Sequence, residues 1–309
     1  MNEIPMDIQD YLSKMNDIQY AILNFVESED SKISSINNSL RDNKIFQNKH
    51  EFKLILRLIL SIYTEHHQTS NFFDRICIIL KNYNSDIKKT FSDNEISTIF
   101  ENNKDLYKCL SSDSNTIFNT DDNESNICMI IQNDSIDEFI SYIKETNTSL
   151  DSEIELISSK RNSILIEKKP TIIEYASFCG SIQIIKYMST QKVELLKPSM
   201  WLYAIHSNNI ELIQFLIDNN VLPENNKYTN CFLEAVKCHH NSIADFIREK
   251  YNPDFNVNEL LVICLKYCNF KYLTIKMLTD GFYFLCKYDY YTMIDILFNN
   301  QYNIDLNAI

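Results

Sequence analysis

The residues best suited to binding a metal ion lie close together in the C-terminal half of the sequence. Cys231, Cys238, His239 and His240 place two thiols and two imidazoles within ten residues, and these are ligand types that zinc prefers. No C-x-x-C pair accompanies them. Cys238 and His239 also fall at a turn between two helical patterns, where a histidine can instead bond a neighbouring loop. We expect a turn at this position, and a zinc-dependent enzyme is the alternative.

Two further pairs have ligand-type side chains but a poor arrangement for coordination. His66 and His67 are adjacent, so on a helix they point in different directions, and a histidine at a helix end is stabilised by the helix dipole. Cys264 and Cys268 are four residues apart on one helical face, which is typical of thiols buried in a core. The sequence therefore predicts no metal and no cofactor.

Catalytic motifs are missing from the sequence. Nucleophilic catalysis needs a nucleophile, a base and an orienting group, and there is no G-x-S-x-G elbow and no Cys/His pair in a recognisable local frame. With only two glycines, Gly180 and Gly281, the chain cannot form a glycine-rich phosphate loop. We therefore expect a protein that is not an enzyme.

Composition limits the kinds of partner. The chain has 309 residues, of which 45% are hydrophobic, enough to form a core. Its net charge is −13, and an acidic chain repels phosphate backbones. The longest apolar stretch, 54–63, is interrupted by Arg57 and Ser61 and is too short to span a membrane. We expect neither nucleic acid nor a membrane as a partner.

The cysteines and the N-terminus bear on the compartment. Nine cysteines are scattered through mostly apolar helical patterns, and residues 1–7 have no basic or apolar signal region. Buried free thiols in a reducing cytosol are the expectation. We predict a cytoplasmic protein, and a nuclear location stays open.

The elements that must position these residues are helices, because apolar residues recur at steps of three and four. The scarcity of Gly and Pro argues against β-hairpins. Residues 111–126 are acidic and rich in Ser and Asn, which predicts a linker. The N-terminal helical patterns cover 7–29, 52–63, 71–83, 87–91, 96–100 and 106–110. We therefore predict a helical N-terminal domain at 1–110.

One pattern recurs in the second half of the chain. Each copy has a small or apolar anchor, a polar turn four residues later, and apolar residues 8, 9, 11 and 12 positions after the anchor. This pattern predicts a short helix, a tight turn and a second helix. The clear copies have the anchors Ala176, Ala204, Ala235 and Leu285, and looser copies lie at Ile130 and Cys264.

The segment from Thr171 to Met188 resembles the ankyrin pattern T-P-L-H-x-A-x-x-x-G-x-x-x-I-V-x-x-L, with Ile172 in place of Pro and Glu174 in place of His. More broadly, the chain is similar to a family of protist ankyrin-repeat proteins that carry a helical N-terminal region of unknown function before degenerate repeats. The stretches carrying this similarity are 48–51, 66–74, 87–92, 173–183, 201–206 and 237–241.

The resemblance implies an all-α fold, with a degenerate ankyrin-repeat solenoid at 127–309 and protein–protein scaffolding without catalysis. In such a stack, the residues between anchor and turn face a concave groove. The strip predicted to bind a partner consists of Phe178, Cys179, His206, Ser207, Lys237, Cys238, Lys266, Tyr267, Lys287 and Tyr288. Its aromatic, His and Lys groups suit an acidic or mixed protein surface.

We predict a monomeric, non-enzymatic interaction module, a scaffold or adaptor. The N-terminal helices are expected to cap the first repeat, and Trp201 to pack against the preceding repeat rather than bind a partner. The alternatives are a metal-dependent enzyme using Cys and His groups, or a drifted or truncated family copy without binding. The second is suggested by a middle region, 111–126, that is shorter than is usual in the family.

Overall fold

The computed structural model describes residues 7–28, 30–66, 71–111, 126–155, 162, 164–165 and 169–304. In this part of the chain the regular structure consists of 19 α-helices and three short 3-10 helices, with one isolated bridge between Glu153 and Thr171. The all-α fold class is therefore confirmed. No helix of the described residues is long and apolar enough to cross a membrane. Residues 112–125 of the predicted linker lie outside the described part.

The helices are numbered in chain order. The first nine are α1 (Ile8–Glu27), α2 (Ile33–Asp42), α3 (Lys49–Glu65), α4 (Phe72–Asn82), α5 (Asn84–Thr90), α6 (Asp93–Ile99), α7 (Lys104–Ser111), α8 (Asn126–Gln132) and α9 (Ile136–Thr146). The others are α10 (Ile172–Cys179), α11 (Ile182–Gln191), α12 (Met200–His206), α13 (Ile210–Asp218), α14 (Thr229–Lys237), α15 (Asn241–Tyr251), α16 (Val257–Tyr267), α17 (Ile275–Asp280), α18 (Phe282–Lys287) and α19 (Tyr291–Asn299).

The chain forms two compact units. The first unit comprises the described parts of Met1–Tyr63, Gln68–Ile117 and Phe255–Ile309, and the second those of Thr64–His67 and Phe118–Asp254. These units differ from the predicted division into 1–110 and 127–309, because the last helices share a unit with the N-terminal ones.

In the first unit, helix α1 packs against α2, α4 and α19. Apolar residues of α1 at steps of three and four, among them Leu12, Met15 and Ile22, are buried, as an amphipathic helix requires. Helix α19 is the last of the described helices, so helices from both ends of the chain meet within this unit. The expected cap on the first repeat stays a prediction.

A disulfide between Cys77 and Cys109 joins α4 to α7 in the first unit. The prediction that all cysteines are free thiols is wrong for this pair. The other seven are thiols outside any disulfide, and five of these are buried, in agreement with the expectation that they pack as small apolar groups.

The second unit contains four helix pairs, α8–α9, α10–α11, α12–α13 and α14–α15. The two helices of each pair are in contact, and so are the first helices of consecutive pairs. The anchors Ala176, Ala204 and Ala235 are fully buried on these first helices. Small side chains at these positions allow the helices to approach closely, so each pair forms part of its neighbour's core.

The turn after each anchor has a recurring geometry. The residue four positions after the anchor has a positive φ in all six copies, at Asp134, Gly180, Asn208, His239, Cys268 and Asp289. In five of them, the next backbone N–H donates to the anchor carbonyl, as Ser181 does to Ala176. This is the bonding of a helix that ends in a left-handed residue, and it explains the polar turns in the sequence pattern.

Trp201 is fully buried at the start of α12. Its indole Nε1 donates a hydrogen bond of 2.7 Å to the Val221 carbonyl, and its ring packs edge-on against Tyr228. Trp201 is therefore a core residue, but both contacts are with residues that follow it in the chain, whereas the sequence predicted packing against the preceding repeat.

Candidate functional site

The ten residues of the predicted strip are divided between the two units. In the second unit, His206, Ser207 and Cys238 are at most 5% exposed, so they offer almost no surface to a partner. Phe178 and Cys179 are half-buried, and the Phe178 ring lies 5.7 Å from the His206 ring. Binding through the strip in this unit would therefore depend mainly on Phe178 and Cys179.

The strip residues of the first unit are more accessible. Lys266 and Lys287 are exposed, and Tyr267 and Tyr288 are half-buried. Each ammonium lies over the neighbouring ring, at 5.0 Å for Lys266 on Tyr267 and 5.8 Å for Lys287 on Tyr288. The two Lys–Tyr pairs occupy equivalent positions at the ends of α16 and α18, which are in contact.

Helix α3 bonds the backbone of these same turns in the first unit. The Arg57 guanidinium donates to the Tyr288 carbonyl over 2.6 Å and lies 5.3 Å from the Tyr290 ring centroid. Ser61 Oγ donates to the Tyr267 carbonyl over 2.8 Å. These contacts were not predicted from the sequence. The signal for them was the pair Arg57 and Ser61, two polar residues four positions apart on an otherwise apolar helix.

Residues 64–66 cover part of the strip within the second unit. Glu65 forms an ion pair of 3.4 Å with Lys237. The His66 Nδ1 lies 2.8 Å from the Cys238 carbonyl, and the His66 ring lies 4.5 Å from that of His240. Lys237 and Cys238, expected on an open face, are therefore in contact with other parts of their own chain.

A buried polar cluster lies where α12 approaches α14. The His206 Nε2 is 2.5 Å from Oε1 of Glu234, and Lys237 Nζ is 3.0 Å from the same oxygen. The Cys238 Sγ lies 3.4 and 3.6 Å from the two ring nitrogens of His206. Asn162 Nδ2 contacts His206 Nδ1 at 3.3 Å. We call His206, Glu234 and Cys238 the HEC cluster.

The charges around the HEC cluster stabilise Glu234 as a carboxylate. Burial alone would raise the pKa of Glu234, but the hydrogen bond and charge of His206 and the Lys237 ammonium lower it to about 2. Burial would lower the pKa of Lys237, and the two carboxylates of Glu234 and Glu65 raise it instead. Lys237 therefore forms buried ion pairs with Glu234 and Glu65 in the second unit.

The surroundings of the sulfur in the HEC cluster favour a thiol over a thiolate. Burial, followed by the nearby charge of Glu234, raises the pKa of Cys238 well above its usual range. A nucleophilic cysteine needs the thiolate and access to substrate, and Cys238 is fully buried. The cluster therefore has the chemistry of a ligand set or a structural network rather than of a nucleophile with its base.

The fold separates the four ligand-type residues that lie close together in the sequence, Cys231, Cys238, His239 and His240. His239 is the left-handed turn residue, and Cys231 is buried, which raises its pKa to about 12. Among the described residues, Cys238 is grouped instead with His206 and Glu234, whose candidate ligand atoms all lie within 4.8 Å of one another. Glu234 was missed from the sequence, although its position four residues before Cys238 was a usable signal.

The fold and this cluster define an all-helical protein built largely from short helix pairs. A scan of protein-family models and searches of curated proteins and of solved structures found no match to this chain. The ankyrin resemblance therefore stays a prediction based on the sequence pattern.

Proposed function

We propose that this protein is a non-enzymatic interaction module whose degenerate, ankyrin-like repeats bind a protein partner. The observation that carries the proposal is the recurrence of anchor, left-handed turn and second helix in six copies. Stacked repeats of this kind create extended surfaces whose exposed residues can change without loss of the core. Binding is therefore the function that this architecture supports best.

The surface that best fits a partner consists of Lys266, Tyr267, Lys287 and Tyr288, which we call the Lys–Tyr surface. Its tyrosines supply rigid aromatic area, of the type enriched where interfaces are strongest. Its lysines supply positive charge on a chain whose net charge is −13. An acidic protein segment would be attracted to this surface and repelled by most of the remaining protein.

The test is affinity capture from the native cell lysate, quantified by mass spectrometry. We expect the wild-type chain to capture a discrete set of proteins. The double variant Lys266→Glu/Lys287→Glu should capture at least about 90% less of these proteins. The matched control is Lys88→Glu/Lys89→Glu, which makes the same charge change on exposed residues of α5.

Capture that is equal in the wild type and the Lys266→Glu/Lys287→Glu variant would remove the Lys–Tyr surface as the binding site. An empty set from the wild type would favour a drifted copy without retained binding. Equal losses in both charge-reversal variants would indicate a general effect of net charge.

A further inference from the structure

Helix α3 makes the same contact twice within the first unit. Arg57 donates to the Tyr288 carbonyl over 2.6 Å, and Ser61 donates to the Tyr267 carbonyl over 2.8 Å. Both carbonyls belong to the residue three positions after a repeat anchor. The two donors are four residues apart, which places them on one side of the helix. This side of α3 therefore binds the backbone of the strip.

The same contact occurs within the second unit. His66 directly follows α3, and its Nδ1 lies 2.8 Å from the carbonyl of Cys238, which is three positions after the anchor Ala235. The ring nitrogen donates this hydrogen bond, because a carbonyl oxygen only accepts. A side-chain donor on the third residue after the anchor is therefore a repeated way of binding the strip.

Two further contacts hold the end of α3 within the second unit. Glu65 forms an ion pair of 3.4 Å with Lys237, and the Thr64 carbonyl accepts from Asn162 Nδ2 over 3.3 Å. We call Thr64, Glu65 and His66 the TEH segment. Its carboxylate and imidazole bind two adjacent residues of the strip, as the side chains of a bound peptide would.

We propose that the TEH segment is an internal ligand, which occupies the strip at Lys237 and Cys238 until a partner segment replaces it. The partner segment has the same chemistry, a carboxylate for the Lys237 ammonium followed by an N–H donor for the Cys238 carbonyl. This inference rests on the proposed binding function and adds its regulation, because the TEH segment closes this part of the strip to a partner.

The TEH segment is the part of α3 whose release costs least. Ile55, Ile59 and Ile62 are at most 1% exposed, and their burial holds the body of the helix in place. The TEH segment contains only polar side chains. Its hydrogen bonds and ion pair contribute little net free energy, because water competes for the same groups. A helix end also opens more readily than its middle.

Lys237 keeps a charged partner when the TEH segment leaves. Its ammonium lies 3.0 Å from Oε1 of Glu234, so one ion pair remains after Glu65 has moved away. No uncompensated charge is then left at this position, which would be costly in a partly buried site. The place beside Lys237 is open to the carboxylate of a partner, which can form the same charge-assisted hydrogen bond.

An internal ligand lowers the apparent affinity for the partner. A segment of the same chain acts at an effective concentration of the order of millimolar. A partner binds only the fraction of molecules in which the strip is open. We therefore expect weak binding to the wild type and tighter binding to a variant whose TEH segment no longer occupies the strip.

The experiment measures by fluorescence anisotropy how a fluorescein-labelled peptide with the sequence of residues 61–66 binds the full-length protein. We expect Glu65→Ala/His66→Ala to bind the peptide at least about tenfold more tightly than the wild type. The matched control Glu211→Ala/His50→Ala removes a carboxylate and an imidazole at exposed positions and should bind as the wild type does. Circular dichroism checks that the variants fold.

A second variant keeps the proposal testable if Glu65→Ala/His66→Ala fails to fold. Glu65→Lys places an ammonium opposite Lys237, and the two positive charges repel the TEH segment from the strip. This variant should also bind the peptide at least about tenfold more tightly than the wild type. A peptide with glutamine in place of its glutamate should bind either variant at least about fivefold more weakly.

Peptide affinity that is equal in the wild type and in both Glu65 variants overturns the internal-ligand assignment, and so does equal affinity for the glutamate and glutamine peptides. Neither result bears on the Lys–Tyr surface, which the capture experiment tests with Lys266→Glu/Lys287→Glu. Unchanged capture in that variant, together with tighter peptide binding by the Glu65 variants, would support the strip as the binding site and remove only the Lys–Tyr surface.

Discussion

Glu234 is the residue whose ionisation most directly affects the stability of the second unit. Its carboxylate accepts from His206 and Lys237, and its folded-state pKa of about 2 lies below the ordinary value of 4.5. A carboxyl group whose pKa is lowered by folding stabilises the folded state at pH values above its unfolded-state pKa. This stabilisation is lost as the pH falls from about 4.5 toward 2.

We therefore expect Glu234→Gln to lower the free energy of unfolding by about 2–3 kcal/mol at pH 7, because it leaves a buried cation with one carboxylate partner fewer. The deficit should shrink as the pH falls toward 2, where the wild type loses the same charge. Urea unfolding at pH 7, 4 and 2.5 measures both effects.

Glu211→Gln is the matched control for this pH dependence. Glu211 pairs with Lys186 at the protein surface, where an ion pair contributes less than about 1 kcal/mol. A deficit in Glu234→Gln that stays constant across the pH range would contradict the assigned role of the carboxylate.

At the scale of elements, the left-handed turn is the repeated device that ends each first helix. Asn208 adopts a φ of 51° there and is exposed, whereas Gly180 occupies the equivalent position with a φ of 75°. For a residue with a side chain, the left-handed backbone conformation costs roughly 1–2 kcal/mol of free energy. The cost is smaller for asparagine than for most other residues. Glycine has no such cost.

We expect Asn208→Gly to raise the free energy of unfolding by about 0.5–1 kcal/mol, and Gly180→Ala to lower it by about 1–2 kcal/mol. The added methyl of Gly180→Ala would also lie 3.3 Å from the Asn209 side-chain amide. Urea denaturation of the two variants measures both changes.

The matched control for the turn is Asn219→Gly, another exposed asparagine at a helix end. Asn219 has a φ of −89°, so glycine relieves no strain there. If Asn219→Gly were stabilised as much as Asn208→Gly, the gain would have a cause other than the left-handed backbone.

At the scale of the whole molecule, the first unit is made from the two ends of the chain. The buried amide of Gln19 on α1 donates to Asn269 Oδ1 over 3.1 Å and accepts from the Phe270 N–H over 2.9 Å. These partners are about 250 residues away in sequence, so the bonds form only after both ends have folded together. Loop closure over such a separation slows folding more than it reduces stability.

We expect Gln19→Leu to lower the free energy of unfolding by about 2–3 kcal/mol, because it leaves two buried polar groups with one partner fewer. The control Gln9→Leu changes an exposed residue of the same helix and should stay within about 0.5 kcal/mol of the wild type. Equal unfolding curves for the two variants would show that the amide does not couple the chain ends.

Much of the local structure was predictable from the sequence. Steps of three and four among apolar residues indicated the helices, and the anchors Ala176, Ala204 and Ala235 located the turns that follow them. Both signals are local, because helix periodicity and helix termination depend on neighbouring residues. The strip residues were also identified by register, but register does not reveal which other segment of the chain covers them.

The sequence by itself therefore determined the helical class, the helix pairs and the positions of their turns. Only the tertiary structure decided that Cys77 meets Cys109, that Gln19 meets Asn269, and that His206 lies beside Glu234 and Cys238. Each of these contacts joins residues on separate helices, and many compact packings share the same helix pattern. The contacts depend on how the buried faces fit together, which is a property of the whole packed chain.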